Sequence, residues 1–179
     1  MDQLTAITLL NTWGRRDRYV FTKHELAKLF PNDTAKAFTA GLNRLVKAGL
    51  IQRVCRGIYL NKEALVSDRY LLERIAKALR SGTYNYVSLE SMLSEYGLIS
   101  QIPIDRLTLM TTGREGLYET PYGTIEFTHT KRSVIDILKN TYHASERPLR
   151  MATKQAAWRD LKRVGRNTML VDQEELSDD

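Results

Sequence analysis

An α+β fold is what this sequence predicts, on three observations. Residues 22 to 49 carry helical periodicity with clear end signals, and the period shortens to two between residues 51 and 60. After residue 67, helical segments alternate again with short stretches rich in Thr, Leu and Met. The chain has 179 residues, 42% of them hydrophobic, which is enough for two small cores. The expected division is an N-terminal domain over residues 1–66 and a C-terminal domain over 67–179.

Leu4, Ile7, Leu10 and Trp13 recur at near-helical spacing and predict an amphipathic helix that stops at Gly14. Tyr19-Val20-Phe21 is short and apolar. Thr22 with Glu25 three residues later is a capping box for a second helix, which Pro31 closes. A third helix opens at Asn32-Asp33, either of which can cap it, and runs to Gly49. On its wheel Ala35, Phe38, Leu42, Leu45 and Val46 gather on one side, opposite Lys36, Ala40, Asn43, Arg44 and Lys47. The strand pattern follows, with Ile51 and Arg53 on one side, a turn at Arg56-Gly57 and a return through Ile58-Tyr59-Leu60. Two capped helices and then a basic hairpin is the order of a winged helix-turn-helix.

Residues 61 to 67 read as a linker. Leu71, Leu72, Ile75, Ala76 and Leu79 predict the next amphipathic helix, and Ser88 is placed to cap another over Leu89–Tyr96, with Glu90 in its first turn. Beyond Pro103, residues 106–112, 117–119 and 123–129 read as strands of a small sheet. Val134, Ile135 and Leu138 set a helical period over Lys131–Tyr142. Thr153 caps a last helix bearing Ala156, Ala157, Leu161 and Val164, so the second half is a mixed α/β domain. Gly165 to Asp179 is polar and expected to fray.

The formal charge of +6 is unevenly spread. Residues 1–66 hold 11 Lys/Arg against 5 Asp/Glu, residues 67–130 hold 6 against 8, and residues 131–179 hold 10 against 8. The last segment is basic but ends in the acidic tip VDQEELSDD. Clustered cations suit a phosphate backbone, whose neutralisation releases counterions. An ordinary solvated surface gives similar counts, so charge alone does not decide.

Several function classes are excluded by what the sequence lacks. The single Cys55 allows no internal disulfide, and no Cys/His spacing suits zinc. His24, His129 and His143 are scattered, and there is no phosphate-binding loop, nucleophile elbow or dinucleotide fingerprint. Asp105 and Glu126 form at most one acidic pair on short strands. We therefore expect no enzyme activity, no cofactor and no metal. With neither a basic leader nor a run of eighteen apolar residues, the expectation is a cytoplasmic protein without a membrane partner.

The major groove of DNA, about 12 Å wide, admits one helix, and the second helix of a helix-turn-helix enters it. Lys36, Asn43, Arg44 and Lys47 supply donors on that helix's outer face, and Ala40 lets the backbone approach. Asn43 suits adenine and Arg44 guanine, while the lysines suit phosphate. Arg53 and Arg56 flank the wing turn, and Lys23 sits in the first turn of the preceding helix. Arg15, Arg16 and Arg18 are weaker candidates, a loop of arginines being commonly just solvated. Arg150, Lys154, Arg159, Lys162, Arg163 and Arg166 form a candidate second basic surface for DNA or an acidic partner.

The order of these motifs resembles the AbiEi family of antitoxins. The wing Arg53-Val-Cys-Arg-Gly-Ile-Tyr59 is followed by Tyr86-Val-Ser88-Leu-Glu-Ser91-Met-Leu93-Ser-Glu-Tyr-Gly97-Leu98, similar to the family's Y-x-S-x-x-S-A-L-x-x-x-G-L helix. Ala152-Thr153-Lys-Gln-Ala156-Ala-Trp-Arg-Asp160-Leu161 is similar to its A-T-P-E-x-A-L-x-D-L segment. Lys154, Gln155 and Met92 depart from the pattern. The resemblance, from about Phe21 to Leu161, implies a toxin-antitoxin protein of phage defence by abortive infection. Such a protein represses its own promoter at an inverted repeat through the N-terminal domain. Its other half counters a nucleotidyltransferase-like toxin without needing a stable complex. Two other readings stay open: a winged-helix regulator whose C-terminal part senses a ligand or partner with no toxin, and a winged helix used purely for protein interaction.

Overall fold

The computed structural model describes residues 1–65, 67–99, 105–172 and 176, so most of the acidic tip lies outside the described residues. The chain divides into two compact units, Met1–Arg69 and Tyr70–Asp179, three residues later than the expected boundary.

The first unit follows the winged-helix order. Its elements are α1 (Gln3–Gly14), β1 (Val20–Thr22), α2 (Lys23–Lys28), α3 (Ala35–Lys47), β2 (Gln52–Cys55) and β3 (Ile58–Leu60). A turn of helix over Lys62–Ala64 follows. The antiparallel sheet has the order β1-β3-β2, so the Tyr19–Phe21 region becomes the strand that closes the wing from the other side. Ala6, Leu10, Phe21, Leu26, Phe38, Leu42, Leu45, Ile51 and Tyr59 form one buried core.

Three elements, α1, α3 and β2, depart locally from the sequence pattern. In α1 the buried residues are Ala6 and Leu10, whereas Leu4 is 73% exposed. Gly14 belongs to that helix, and a Cβ on it would lie 2.5 Å from the Ala64 Cβ, so close approach explains the glycine. In α3 the cap is Thr34, whose hydroxyl accepts from the Ala37 amide at 3.2 Å, while Asp33 pairs with the Met1 amino group at 2.8 Å. In β2 a bulge between Arg53 and Cys55 breaks the alternation, burying Ile51 and Val54 and exposing Arg53.

The capping box at the start of α2 is complete: Thr22 Oγ1 accepts from the Glu25 amide at 3.0 Å, and Glu25 Oε2 accepts from the Thr22 amide at 2.8 Å. Burial is the largest influence on the Glu25 carboxyl and pushes it up. The Thr22 amide, the Thr22 hydroxyl and the Arg18 guanidinium together outweigh it and hold the group below its ordinary 4.5. Such a depressed carboxyl contributes stability that is complete above the unfolded-state value and disappears as pH falls through the folded one. Thr22→Ala should therefore cost about 1 kcal/mol at neutral pH and less in acid. Urea unfolding followed by Trp13 in a Trp158→Phe background reads this out.

The second unit contains α4 (Leu71–Leu79), β4 (Asn85–Val87), α5 (Leu89–Glu95), β5 (Arg106–Thr111), β6 (Gly116–Thr120), β7 (Gly123–His129), α6 (Val134–Lys139), β8 (Thr141–Tyr142), β9 (Arg150–Ala152) and α7 (Lys154–Val164). The sheet is larger than expected, six strands in the order β6-β7-β5-β4-β9-β8, with parallel pairs β5/β7 and β4/β9. Helices α5 and α7 pack together, and Leu89, Met92 and Leu93 of α5 and Ala157 and Leu161 of α7 are buried.

The helix expected over Lys131–Tyr142 is shorter. Asn140 Nδ2 donates to the Asp136 carbonyl at 2.8 Å and Thr141 Oγ1 to the Ile137 carbonyl at 2.7 Å, so side chains satisfy the last carbonyls and the backbone turns into β8. Only Ile137 of α6 is buried, and Val134, Ile135 and Leu138 face outward.

Candidate nucleic-acid interface

The face of α3 opposite its buried stripe carries Lys36, Ala40, Asn43, Arg44 and Lys47, all exposed. Phe38, Gly41, Leu42 and Leu45 fix the rotation of the helix from the other side. Lys36 to Lys47 covers eleven steps of rise, about 16 Å at 1.5 Å per residue, long enough to cross a major groove. Ala35, expected in the core, is exposed because an open cavity of about 550 Å³ lies beside it, between α2 and α3 and next to Phe30 and Phe38.

Lys23 is exposed and its Nζ donates to Thr39 Oγ1 at 3.2 Å, tying the first turn of α2 to α3. Arg53 and Arg56 are exposed on the β2–β3 hairpin, whose turn needs Gly57 at φ +81°. Between them Cys55 is half-buried, and burial pushes its thiol up against the opposing influence of Arg53, which leaves it protonated and unreactive near neutral pH. The eight predicted residues of this unit are thus all solvent-facing, and none forms an ion pair among the described residues.

The arginine loop after α1 behaves differently. Arg16 and Arg18 lie over the Trp13 ring at 5.6 and 5.2 Å, and Arg18 pairs with Glu25 at 2.6 Å. These side chains close the corner between α1 and α2.

The six residues of the second predicted surface fall into separate environments. Arg150 donates to Thr141 Oγ1 and to the Thr141 carbonyl, both at 2.7 Å. Arg159 meets Asp136 at 3.5 Å, and Arg166 spans Glu90 and Glu126. Lys154 is half-buried, Lys162 lies over the Trp158 ring at 5.2 Å, and Arg163 is exposed. Glu126, paired by position with Asp105 in the sequence, is instead held by Arg166 and by Arg106 at 3.6 Å.

A cluster that periodicity alone did not predict lies under α7. Asp160 is fully buried and its Oδ2 accepts from Tyr86 at 3.0 Å and from Ser88 at 2.9 Å, while Oδ1 pairs with Arg132 at 3.2 Å. Burial and then the Asp160 charge push the Tyr86 phenol far up, so it keeps its proton and serves as a donor. Ser88, expected to cap α5 with its side chain, spends its hydroxyl here instead. Thr108 takes over at that end of α5, accepting from the Ser91 amide at 3.0 Å and donating to the Ser88 carbonyl at 2.8 Å. Tyr86, Ser88 and Asp160 come from the two motifs quoted for the family resemblance, so the two signatures meet at one carboxylate. The sequence signal was available: Asp160 stands four residues after Ala156 on the apolar stripe of its helix, where a charge requires buried partners.

A second such cluster joins α4 and α5 to the loop before β9. Arg147 bonds Glu73 from Nε at 3.0 Å and Glu95 from Nη1 at 2.6 Å, and its guanidinium lies 4.9 Å from the Tyr70 ring centroid. No group of three His, Cys, Asp or Glu among the described residues is arranged to hold a metal ion, and no described helix is long and apolar enough to cross a membrane.

Residues 10–62, from the middle of α1 through the wing, match the family described as "Transcriptional regulator, AbiEi antitoxin". No curated protein matches the chain. Among solved structures the chain is similar to the crystal structure of the RV2827C protein from Mycobacterium tuberculosis, with a TM-score of 0.60 at 15% identity, over 88% of this chain and 60% of that one. That likeness is one of fold, and the chain spans about three fifths of that protein's length. The α+β architecture is thus shared with a solved protein well beyond the winged helix, and residues 10–62 are similar to the AbiEi antitoxin family of transcriptional regulators.

Proposed function

We propose that this protein is the antitoxin and autorepressor of a toxin-antitoxin pair. In this reading α3 lies in the major groove of a promoter inverted repeat. Asn43 and Arg44 reach base edges, Lys36 and Lys47 meet phosphates, and Arg53, Arg56 and Lys23 hold the flanking backbone. Ala40 keeps the middle of the helix close to the groove floor. The second unit counters a nucleotidyltransferase-like toxin. The observation that carries the reading is that eight exposed cationic, polar or small side chains cluster on α3, the wing and the start of α2, within the segment that matches an antitoxin regulator family.

A reporter driven by the sequence upstream of the protein's own gene tests the regulatory half. The full chain supplied in trans should repress it, and an Asn43→Ala, Arg44→Ala variant should not. Growth of cells expressing the neighbouring toxin gene tests the other half, and co-expression of the full chain should restore it. Repression without rescue would leave a regulator that has no toxin to counter, and failure of both would reject the proposal.

A further inference from the structure

The open cavity between α2 and α3, about 550 Å³ in volume, falls within the range of about 300–1,000 Å³ for small-molecule sites. Ala27, Phe30, Ala35 and Phe38 give it apolar walls. The Phe30 and Phe38 rings lie 6.4 Å apart between centroids and are tilted by 36°, so the two helices meet there through a pair of aromatic rings. Ala27 and Ala35 contribute only methyl groups, and the space that larger side chains would fill stays open.

The polar lining is sparse and carries one uncompensated charge. Lys23 Nζ donates to Thr39 Oγ1 at 3.2 Å, and Thr39 Oγ1 in turn donates to the Ala35 carbonyl at 2.8 Å. Both side chains line the cavity, so the ammonium group is held at its wall from the opposite helix. An ammonium has three donors, which leaves two on Lys23, and Lys23 forms no ion pair among the described residues. Asp33, the carboxylate in the lining, is already paired with the Met1 amino group at 2.8 Å.

Apolar walls with one available cation suit a ligand that has an apolar body and a single negative charge. Burying the body removes apolar surface from water, and the charge-assisted bond fixes its orientation.

We propose that this cavity binds an aromatic monocarboxylate, whose ring lies against Phe30 and Phe38 and whose carboxylate accepts from Lys23. The regulatory consequence rests on the DNA reading above, in which Lys23 meets the backbone. A lysine neutralised by the ligand is withdrawn from phosphate, so the ligand lowers promoter affinity. By linkage, DNA lowers ligand affinity by the same factor.

Calorimetric titration of the full chain with phenylacetate, indoleacetate, indoleacetamide and acetate tests the site without DNA. At least one aromatic acid should bind saturably at one site, the amide about tenfold more weakly, and acetate without saturation. Lys23→Ala should weaken the acid by about tenfold and leave the amide unchanged, a split that general loss of structure does not produce. Ala35→Phe places a ring in the cavity from an exposed position. It should weaken acid and amide together while melting, and binding promoter, like the parent. With the acid at saturation, promoter affinity of the parent should fall by about three- to tenfold and its salt slope by about one. The Ala35→Phe variant should show neither change. Absence of saturable binding of either acid at millimolar concentration, binding indifferent to both substitutions, or equal affinity for acid and amide would overturn the proposal. Saturable binding that leaves promoter affinity unmoved would overturn its regulatory half. A chain that binds the acid but no promoter would support the cavity and reject the DNA reading.

Discussion

Asp160→Ala should unfold the second unit under conditions where the first stays folded. The carboxylate is fully buried and is the shared acceptor for Tyr86, Ser88 and Arg132. Its removal leaves two hydroxyls and a guanidinium facing a void, and losing one partner of a buried ionic group costs about 3–5 kcal/mol. A domain of this size has about 5–15 kcal/mol in total, so the loss takes up much of the margin. Asp160→Asn keeps an acceptor for one hydroxyl and should cost less. One tryptophan in each unit makes the comparison direct: Trp158 fluorescence in a Trp13→Phe background follows the second unit, and Trp13 in the reverse background follows the first. A midpoint for Asp160→Ala within about 1 kcal/mol of the parent, the ordinary size of a single substitution, would mean the surroundings rehydrate the site and the network is not what joins α7 to β4.

Arg44→Ala should give the largest loss of sequence-specific DNA binding of any single change in the first unit. Arg44 is exposed on the last turns of α3, and its neighbours in the core, Leu42 and Leu45, are buried without it. The fold should therefore be indifferent to the substitution. A bidentate arginine contact with guanine carries about 1–3 kcal/mol of discrimination, so affinity for the operator should fall roughly 5- to 150-fold while binding to unrelated duplex falls far less. Equal losses on both duplexes would move Arg44 from base reading to phosphate contact.

Much of the first unit was legible in the sequence because its signals are local. Thr22 and Glu25 form a capping box at a fixed spacing, the α3 wheel separates apolar from cationic residues, and Arg56-Gly57 marks a tight turn. The misjudged positions depend on tertiary contacts. Asp33 could not act as a cap because the Met1 amino group claims it, and Ala35 lies on the apolar side of α3 but beside a cavity. In the second unit the signals are longer in range. β4, β8 and β9 have only two or three residues each, too few to show a period, and they are held by neighbours distant in sequence. The charged residues there look like a solvated basic run until the structure shows Arg147, Arg159 and Arg166 turned onto carboxylates. Glu73, Glu90 and Asp160 read as surface acids by type, yet each is buried and paired. Tyr86, Ser88 and Asp160 were visible as short motifs, and only the fold shows that one carboxylate accepts from both hydroxyls.

The salt dependence of binding tests whether α3 and the wing form a DNA interface. The full chain is titrated against a duplex of its upstream sequence across a range of salt concentrations, beside an Arg44→Ala, Lys47→Ala variant. The parent should bind with a steep negative slope of log affinity against log salt, and each lost phosphate contact should lower that slope by about one. The double variant should bind more weakly with a shallower slope while melting like the parent. Equal affinity and equal slope for the two proteins would contradict the assignment of this face to DNA.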